Sequence, residues 1–120
     1  APPVQDNLNL RYANGIAAIA EDRVITVDDI LYLRADNKYV AVVTAEHEAL
    51  VSTPLKDLHQ KLDAAVFWRV HRSYLVNIHR IKEVIPWFKS SFHLRMDDKK
   101  QTEIPVSRSQ TKRLREYLRL

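Results

Sequence analysis

From Leu8 to Ser52 the chain is a series of brief alternating or β-branched runs set between turn pairs. That pattern restricts the region mainly to strands. Leu8-Asn9-Leu10-Arg11-Tyr12 alternates apolar and polar with the period of a half-buried strand, and Asn14-Gly15 is a tight-turn pair. Arg23–Val27 reads as a second short strand, and Asp28-Asp29 as a turn or a single helical turn. Ile30–Ala35 and Lys38–Thr44, separated by Asp36-Asn37, form a hairpin with polar groups at its tip. Glu48–Ser52 adds a further short strand.

Sustained helical spacing comes twice. Thr53-Pro54 offers a capping hydroxyl and a proline at the first helical position; Leu55, Leu58 and Leu62 then recur on one face, suited to covering a sheet. Ser107–Leu120 closes the chain as a second helix with Ser107 as its cap. Between them, Phe67–Val70 reads as a strand, His71-Arg72 as a loop and Ser73–Asn77 as a tight helical turn. Ile81–Trp87 and Ser91–Met96 make a hairpin with Lys89-Ser90 near its turn, and Asp97–Lys100 is a charged turn. Thr102–Val106 is a strand that Pro105 assigns to an edge. Ala1–Asn7, with two prolines, is expected to be a linker remnant, and residues 8–120 a single domain. Many short sequential strands and few helices give a mainly antiparallel β domain with two helices packed on it.

Composition narrows the function. There is no cysteine, which excludes a disulfide scaffold, thiolate zinc sites and cysteine nucleophiles and fits a reducing cytoplasm. A single glycine excludes a glycine-rich phosphate loop, and there is no nucleophile elbow, so no enzymatic activity is expected. No run approaches the roughly 20 apolar residues of a spanning helix. The five histidines lack the spacing of a zinc pair, and no metal or other cofactor is expected. Charge is divided unevenly: residues 1–60 carry five Lys/Arg against nine Asp/Glu, or −4, and residues 61–120 carry 14 against six, or +8. A basic half on a small chain attracts polyanions, whether nucleic acid, an anionic membrane or an acidic partner.

Three places offer donors suited to nucleic acid. Arg108, Lys112, Arg115 and Arg119 recur at steps of four, three and four, so they share one face of the last helix, with Leu114, Tyr117 and Leu118 on another. His71-Arg72 sits between apolar runs, and arginine can fork onto guanine edges or phosphate. Asn37, Lys38 and Tyr39 stand at the first hairpin tip. Each also has a plainer reading: a solvated helix face, a turn histidine beside a surface ion pair, an Asp-Asn turn with a solvated lysine.

Phe67-Trp68-Arg69-Val70-His71-Arg72-Ser73-Tyr74-Leu75-Val76-Asn77 resembles the most distinctive segment of the LytTR family of bacterial DNA-binding domains: an aromatic, Arg, an aliphatic, His, a basic or polar residue, Ser, an apolar triplet and Asn. Asp29–Leu33 with Lys38–Val40, Leu50–Leu62, Ile81 with Val84, and Ile104-Pro105-Val106-Ser107-Arg108 resemble the flanking elements, so the resemblance runs from about Ile16 to Leu120. It implies an elongated antiparallel β domain of several small sheets with two short helices. It also implies a role as the DNA-binding output domain of a transcriptional response regulator in a two-component system. Loops, not a recognition helix, would then enter two successive major grooves on one face of double-stranded DNA.

Carried over by position, the first loop is Asn37-Lys38-Tyr39-Val40, the second His71-Arg72 and the third Ser107-Arg108-Ser109. The first loop varies in the family, and Val40 falls where some relatives place a polar base-reading residue, which passes that role to Lys38 or Asn37. Arg108 is the candidate for a bidentate guanine contact, His71 and Arg72 for backbone or minor-groove edges, and Lys112 and Arg115 for phosphate. Ser73 and Asn77 are expected to tie the turn structurally, and Trp68, Trp87 and Phe88 to pack instead of stacking on bases. The implied partners are promoter direct repeats, a second protomer on the DNA, and an upstream receiver or sensory domain. The alternative is a basic β module that meets an acidic protein or RNA.

Overall fold

The computed structural model describes residues 16–20, 23–46 and 48–119. The expected strand at Leu8–Tyr12, the Asn14-Gly15 turn and the 1–7 linker lie outside them. Ten strands form three antiparallel sheets, and there are two α-helices among the described residues. β1 (Ile16–Ala20) and β2 (Arg23–Thr26) pair with each other, and a 3-10 turn at Val27–Asp29 leads onward. The central sheet holds β3 (Ile30–Ala35), β4 (Val40–Thr44), β5 (Glu48–Val51), β6 (Phe67–His71) and β7 (Tyr74–Asn77), in the order β5-β4-β3-β7-β6. The third sheet holds β8 (Ile81–Pro86), β9 (Phe92–Met96) and β10 (Glu103–Pro105), with β10 at an edge as Pro105 requires.

The central sheet is buried on both faces. On one, Leu55, Leu58 and Leu62 of and after α1 (Leu55–Lys61) pack against Ile30, Leu33, Val40, Val42, Phe67 and Leu75. Each of those leucines is at most 5 % exposed, so each contributes about 1.5–3 kcal/mol by leaving water. On the other face, Leu31, Tyr32, Trp68 and Val76 meet Leu94, Met96 and Ile104 of the third sheet and Leu114 of α2 (Arg108–Leu118). A register shift between Ile30 and Tyr32 puts the adjacent Leu31 and Tyr32 on the same face, which strict alternation forbids.

Three local expectations are corrected. Ser73–Asn77 is no helical turn: Tyr74–Asn77 is a strand that pairs with both β3 and β6, and the helical turn follows it at Ile78–Arg80. Thr53 does not cap α1; Pro54 holds the cap position without a side-chain bond. Ser107 holds the cap position of α2, but its hydroxyl lies 3.2 Å from that of Ser109 and leaves the helix amides uncapped.

Candidate nucleic-acid interface

The β3–β4 tip is closed by Asp36: its amide donates to the Tyr39 carbonyl at 2.8 Å, and its carboxylate accepts from the Asn37 amide at 2.9 Å. Asn37 and Lys38 are thereby held exposed and Tyr39 half-buried. Val40 is 4 % exposed and belongs to the core, so it has no access to a ligand.

The β6–β7 turn is equally fixed. The His71 Nδ1 accepts from the Ser73 amide at 3.1 Å, and the ring meets Tyr74 edge-on at 5.7 Å. With Nδ1 occupied as an acceptor, the neutral ring carries its proton on Nε2 and offers a donor there. Arg69 donates from Nη2 to the Arg72 carbonyl at 2.8 Å, bracing the turn while the Arg72 side chain stays exposed. Ser73 acts through its backbone; among the described residues its hydroxyl has no hydrogen-bond partner. Asn77 does what the sequence assigns it. Only 2 % exposed, it donates from Nδ2 to the Ile30 carbonyl at 2.9 Å and accepts from the His79 amide at 2.9 Å.

Two backbone hydrogen bonds bring the candidate loops together. The Ala35 amide, at the end of β3, donates to the Ser73 carbonyl at 2.8 Å; the Ser107 amide, before α2, donates to the Val70 carbonyl at 2.7 Å. The three segments therefore adjoin in the order 35–40, 70–73, 107–109 at one end of the central sheet. Asn77 and Ile30 mark the opposite end of the same strands.

The arginines divide by what they touch. Arg34 pairs with Glu48 at 2.7 Å, Arg80 with Asp29 at 3.7 Å, and Arg95 with Glu83 at 3.1 Å. Arg113 lies over the Trp68 ring at 4.2 Å. Among the described residues Arg72, Arg108, Arg115 and Arg119 have no such partner, nor have Lys38 and Lys112. All six are exposed. An exposed cation without a protein partner is available to an outside anion.

Helix α2 docks by its other side. Leu114 is buried, and Trp68 is held between Arg113 and the edge of Tyr117 at 4.5 Å. The cationic face, with Arg108, Lys112, Arg115 and Arg119, borders a groove of about 730 Å³ whose far wall is Lys89-Ser90-Ser91. Glu116 also lines this groove. Trp68 packs, as the sequence suggests, and Trp87, 47 % exposed, packs by one face on the His93 ring, but Phe88 is 76 % exposed, so the expectation that Phe88 packs is corrected. Sequence does not reveal this turn, because an aromatic pair in a hairpin looks the same whether its rings face in or out.

The fold and the loop cluster define a class: a small antiparallel β domain that holds three polar loops at one end of a sheet buried on both sides. The chain belongs to the LytTr DNA-binding domain family, whose pattern it matches over residues 21–119. It is a DNA-binding domain of the kind that acts in transcription regulation. A solved LytTr DNA-binding domain from Bacillus cereus superposes with a TM-score of 0.73 at 26 % identity, covering 94 % of this chain and 97 % of that one. The heme-containing CO-sensing transcriptional regulator RcoM 2 of Paraburkholderia xenovorans is 39 % identical over 105 residues, 86 % of this chain and 39 % of that protein. The sensory transduction protein LytT of Bacillus subtilis is 38 % identical over 107 residues, 88 % of this chain and 44 % of that protein. The chain thus spans about two fifths of the length of these relatives. No helix among the described residues is long and apolar enough to cross a membrane.

Proposed function

We propose that the chain reads specific double-stranded DNA through the three adjoining loops. Asn37, Lys38 and Tyr39 enter one major groove, and Ser107, Arg108 and Ser109 enter the next on the same face of the duplex. His71 and Arg72 meet the minor-groove edge or backbone between them, and Lys112 and Arg115 hold phosphate. Two copies sit on direct repeats of a promoter. The observation that carries this reading is the pair of backbone bonds, Ala35 to Ser73 and Val70 to Ser107, which set three loops with unpaired cations side by side. Burial of both faces of the central sheet disfavours the RNA alternative, because single-strand platforms expose aromatics on a sheet. The relatives are named for sensing carbon monoxide and for sensory transduction, which supports a sensory or receiver module elsewhere in the parent protein as the source of the signal.

The test is selection of an operator from random duplex by the parent, followed by titration of Arg108→Ala against that operator and against random duplex at physiological salt. Arg108 is exposed and has no ion pair among the described residues, so the variant keeps its fold. Loss of a bidentate guanine contact lowers operator affinity by about 1–3 kcal/mol, roughly 5- to 150-fold, with a much smaller change on random duplex. Operator binding equal to the parent's refutes the role of Arg108.

A further inference from the structure

The β8–β9 hairpin turn presents two neighbouring aromatic residues, Trp87 and Phe88, to solvent. Its chain closes through the Trp87 amide donating to the Ser91 carbonyl at 2.8 Å, while the Phe88 carbonyl accepts from both the Ser91 amide at 3.1 Å and the Ser91 hydroxyl at 2.6 Å. Lys89 and Ser90 between them are both left-handed, at φ 54° and 62°, as the two central residues of a tight type I′ hairpin turn are. Trp87 is anchored by stacking on His93 at 4.1 Å and 17°. Phe88 stands edge-on to Trp87 at 5.5 Å, so a rigid support presents an aromatic ring that is 76 % exposed. Exposed paired aromatics on a rigid turn mark a contact surface.

What that surface meets is indicated by its neighbour. Lys89, Ser90 and Ser91 form one wall of the groove, and the cationic face of α2 forms the other. From Arg108 to Arg119 the helix runs about 16 Å at 1.5 Å per residue, or about five base-pair steps of duplex. The groove begins at Arg108, in the third loop, and is thus continuous with the three-loop end. Five cations line it against the single carboxylate of Glu116, a charge balance that suits a phosphate strand.

We propose that residues 87–90 are a fourth contact to the duplex, resting on the reading above: the turn and α2 clamp one phosphate strand between them, with Lys89 on phosphate and Phe88 against the sugars and base edges of the adjoining minor groove. An apolar side chain there adds affinity through contact and shape, while Lys89 adds it through counterion release.

The probe is a fluorescein-labelled random-sequence duplex, titrated by anisotropy between about 50 and 200 mM salt. Lys89→Gln lowers the slope of log K against log salt by about 0.9. Phe88→Ser weakens binding about fivefold or more and leaves the slope unchanged. Because Trp68 is 6 % exposed, acrylamide quenching of the unmodified protein reads Trp87, and saturating duplex reduces it. Parental titrations for both variants, or quenching that duplex leaves unaltered, overturn the fourth contact. The three-loop reading still stands in that case if Lys112→Ala lowers the slope; a parent chain that binds no duplex removes both.

Discussion

Lys112→Ala is the sharpest perturbation of the proposed interface, because its expected effect is a change of slope that neither lost packing nor a lost base contact produces. Lys112 is exposed on the groove side of α2 and has no ion pair among the described residues, so its removal takes one cation and disturbs no packing. If Arg72, Lys112 and Arg115 each neutralise one phosphate, log K falls against log salt with a slope of about −2.7, and affinity drops about 40-fold between 50 and 200 mM salt. Lys89 in contact steepens the parent slope to about −3.6. In either case Lys112→Ala makes the slope shallower by about 0.9 and weakens operator and random duplex alike, since phosphate contacts carry no sequence. Fluorescence anisotropy across the salt series measures this, with circular dichroism confirming an unchanged fold. Arg80→Gln is the control: Arg80 pairs with Asp29, donates to the Asp28 carbonyl at 3.0 Å, and follows Asn77 at the far end of the sheet. It should leave the slope unchanged. A slope unaltered by Lys112→Ala, or lowered equally by Arg80→Gln, refutes the assignment of phosphate contacts to the α2 side.

Two further outcomes concern stability. Asn77→Ala strands the buried Ile30 carbonyl and the His79 amide, which costs about 2–4 kcal/mol and lowers Tm by about 10 °C or more in thermal unfolding; a loss under about 1 kcal/mol contradicts the structural role. Burial, aided by the guanidinium charges of Arg69 and Arg113, holds the His59 imidazole below the usual histidine range. The unfolded chain then binds more protons than the folded one from about pH 6.5 downward, so stability falls as pH drops through that window and Tm climbs from about pH 5 to 7. His59→Gln should flatten part of that climb, and a parental pH profile in the variant refutes it.

Most of the fold is legible in the sequence because its signals are local. Two apolar, partly β-branched runs around the Asp36-Asn37 pair announce the β3–β4 hairpin, Leu55, Leu58 and Leu62 announce α1, and Pro105 announces an edge strand. Tyr74–Asn77 passes for a helical turn because four residues hold too little period to separate it from a strand. Pairing with β3 on one side and β6 on the other decides it, and β3 lies about 40 positions away in the chain. The capping hydroxyls fail for a similar reason: Thr53 and Ser107 match the pattern, but side-chain direction is set by neighbours. In the candidate site, the donors at 37–39, 71–72 and 107–109 are visible as residue types, and the family resemblance places them. Their adjacency is not visible, because it rests on two backbone bonds joining residues 38 and 37 positions apart in the chain. Exposure of Trp87 and Phe88 is beyond reach for the same physical reason: hydrophobicity predicts a preference for burial, while the place of the pair at a hairpin turn and a stacking histidine decide the outcome.

The architecture also explains why loops fall to the task of reading DNA on the proposed reading. A recognition helix needs a face free to enter a groove and a body that supports it from behind. Here α2 directs Leu114 into the core, and Arg113 and Tyr117 onto Trp68, so it lies against β6 with its cationic side outward. A helix held in that way can border a phosphate strand but cannot insert. The central sheet cannot insert either, since α1 covers one face and the third sheet the other. What remains is the end of the sheet, where strand termini must turn. Those turns are fixed by Asp36, by the His71 Nδ1 and by the Arg69 guanidinium, each bonded to backbone. Backbone anchoring leaves the neighbouring side chains of Lys38, Arg72 and Arg108 free to differ without loss of fold. A scaffold of this kind can therefore change its target sequence by substitution at the loops alone, and swapping the residue at 38 or 108 for one with other donors should alter the selected operator while thermal stability stays within about 0.5 kcal/mol of the parent.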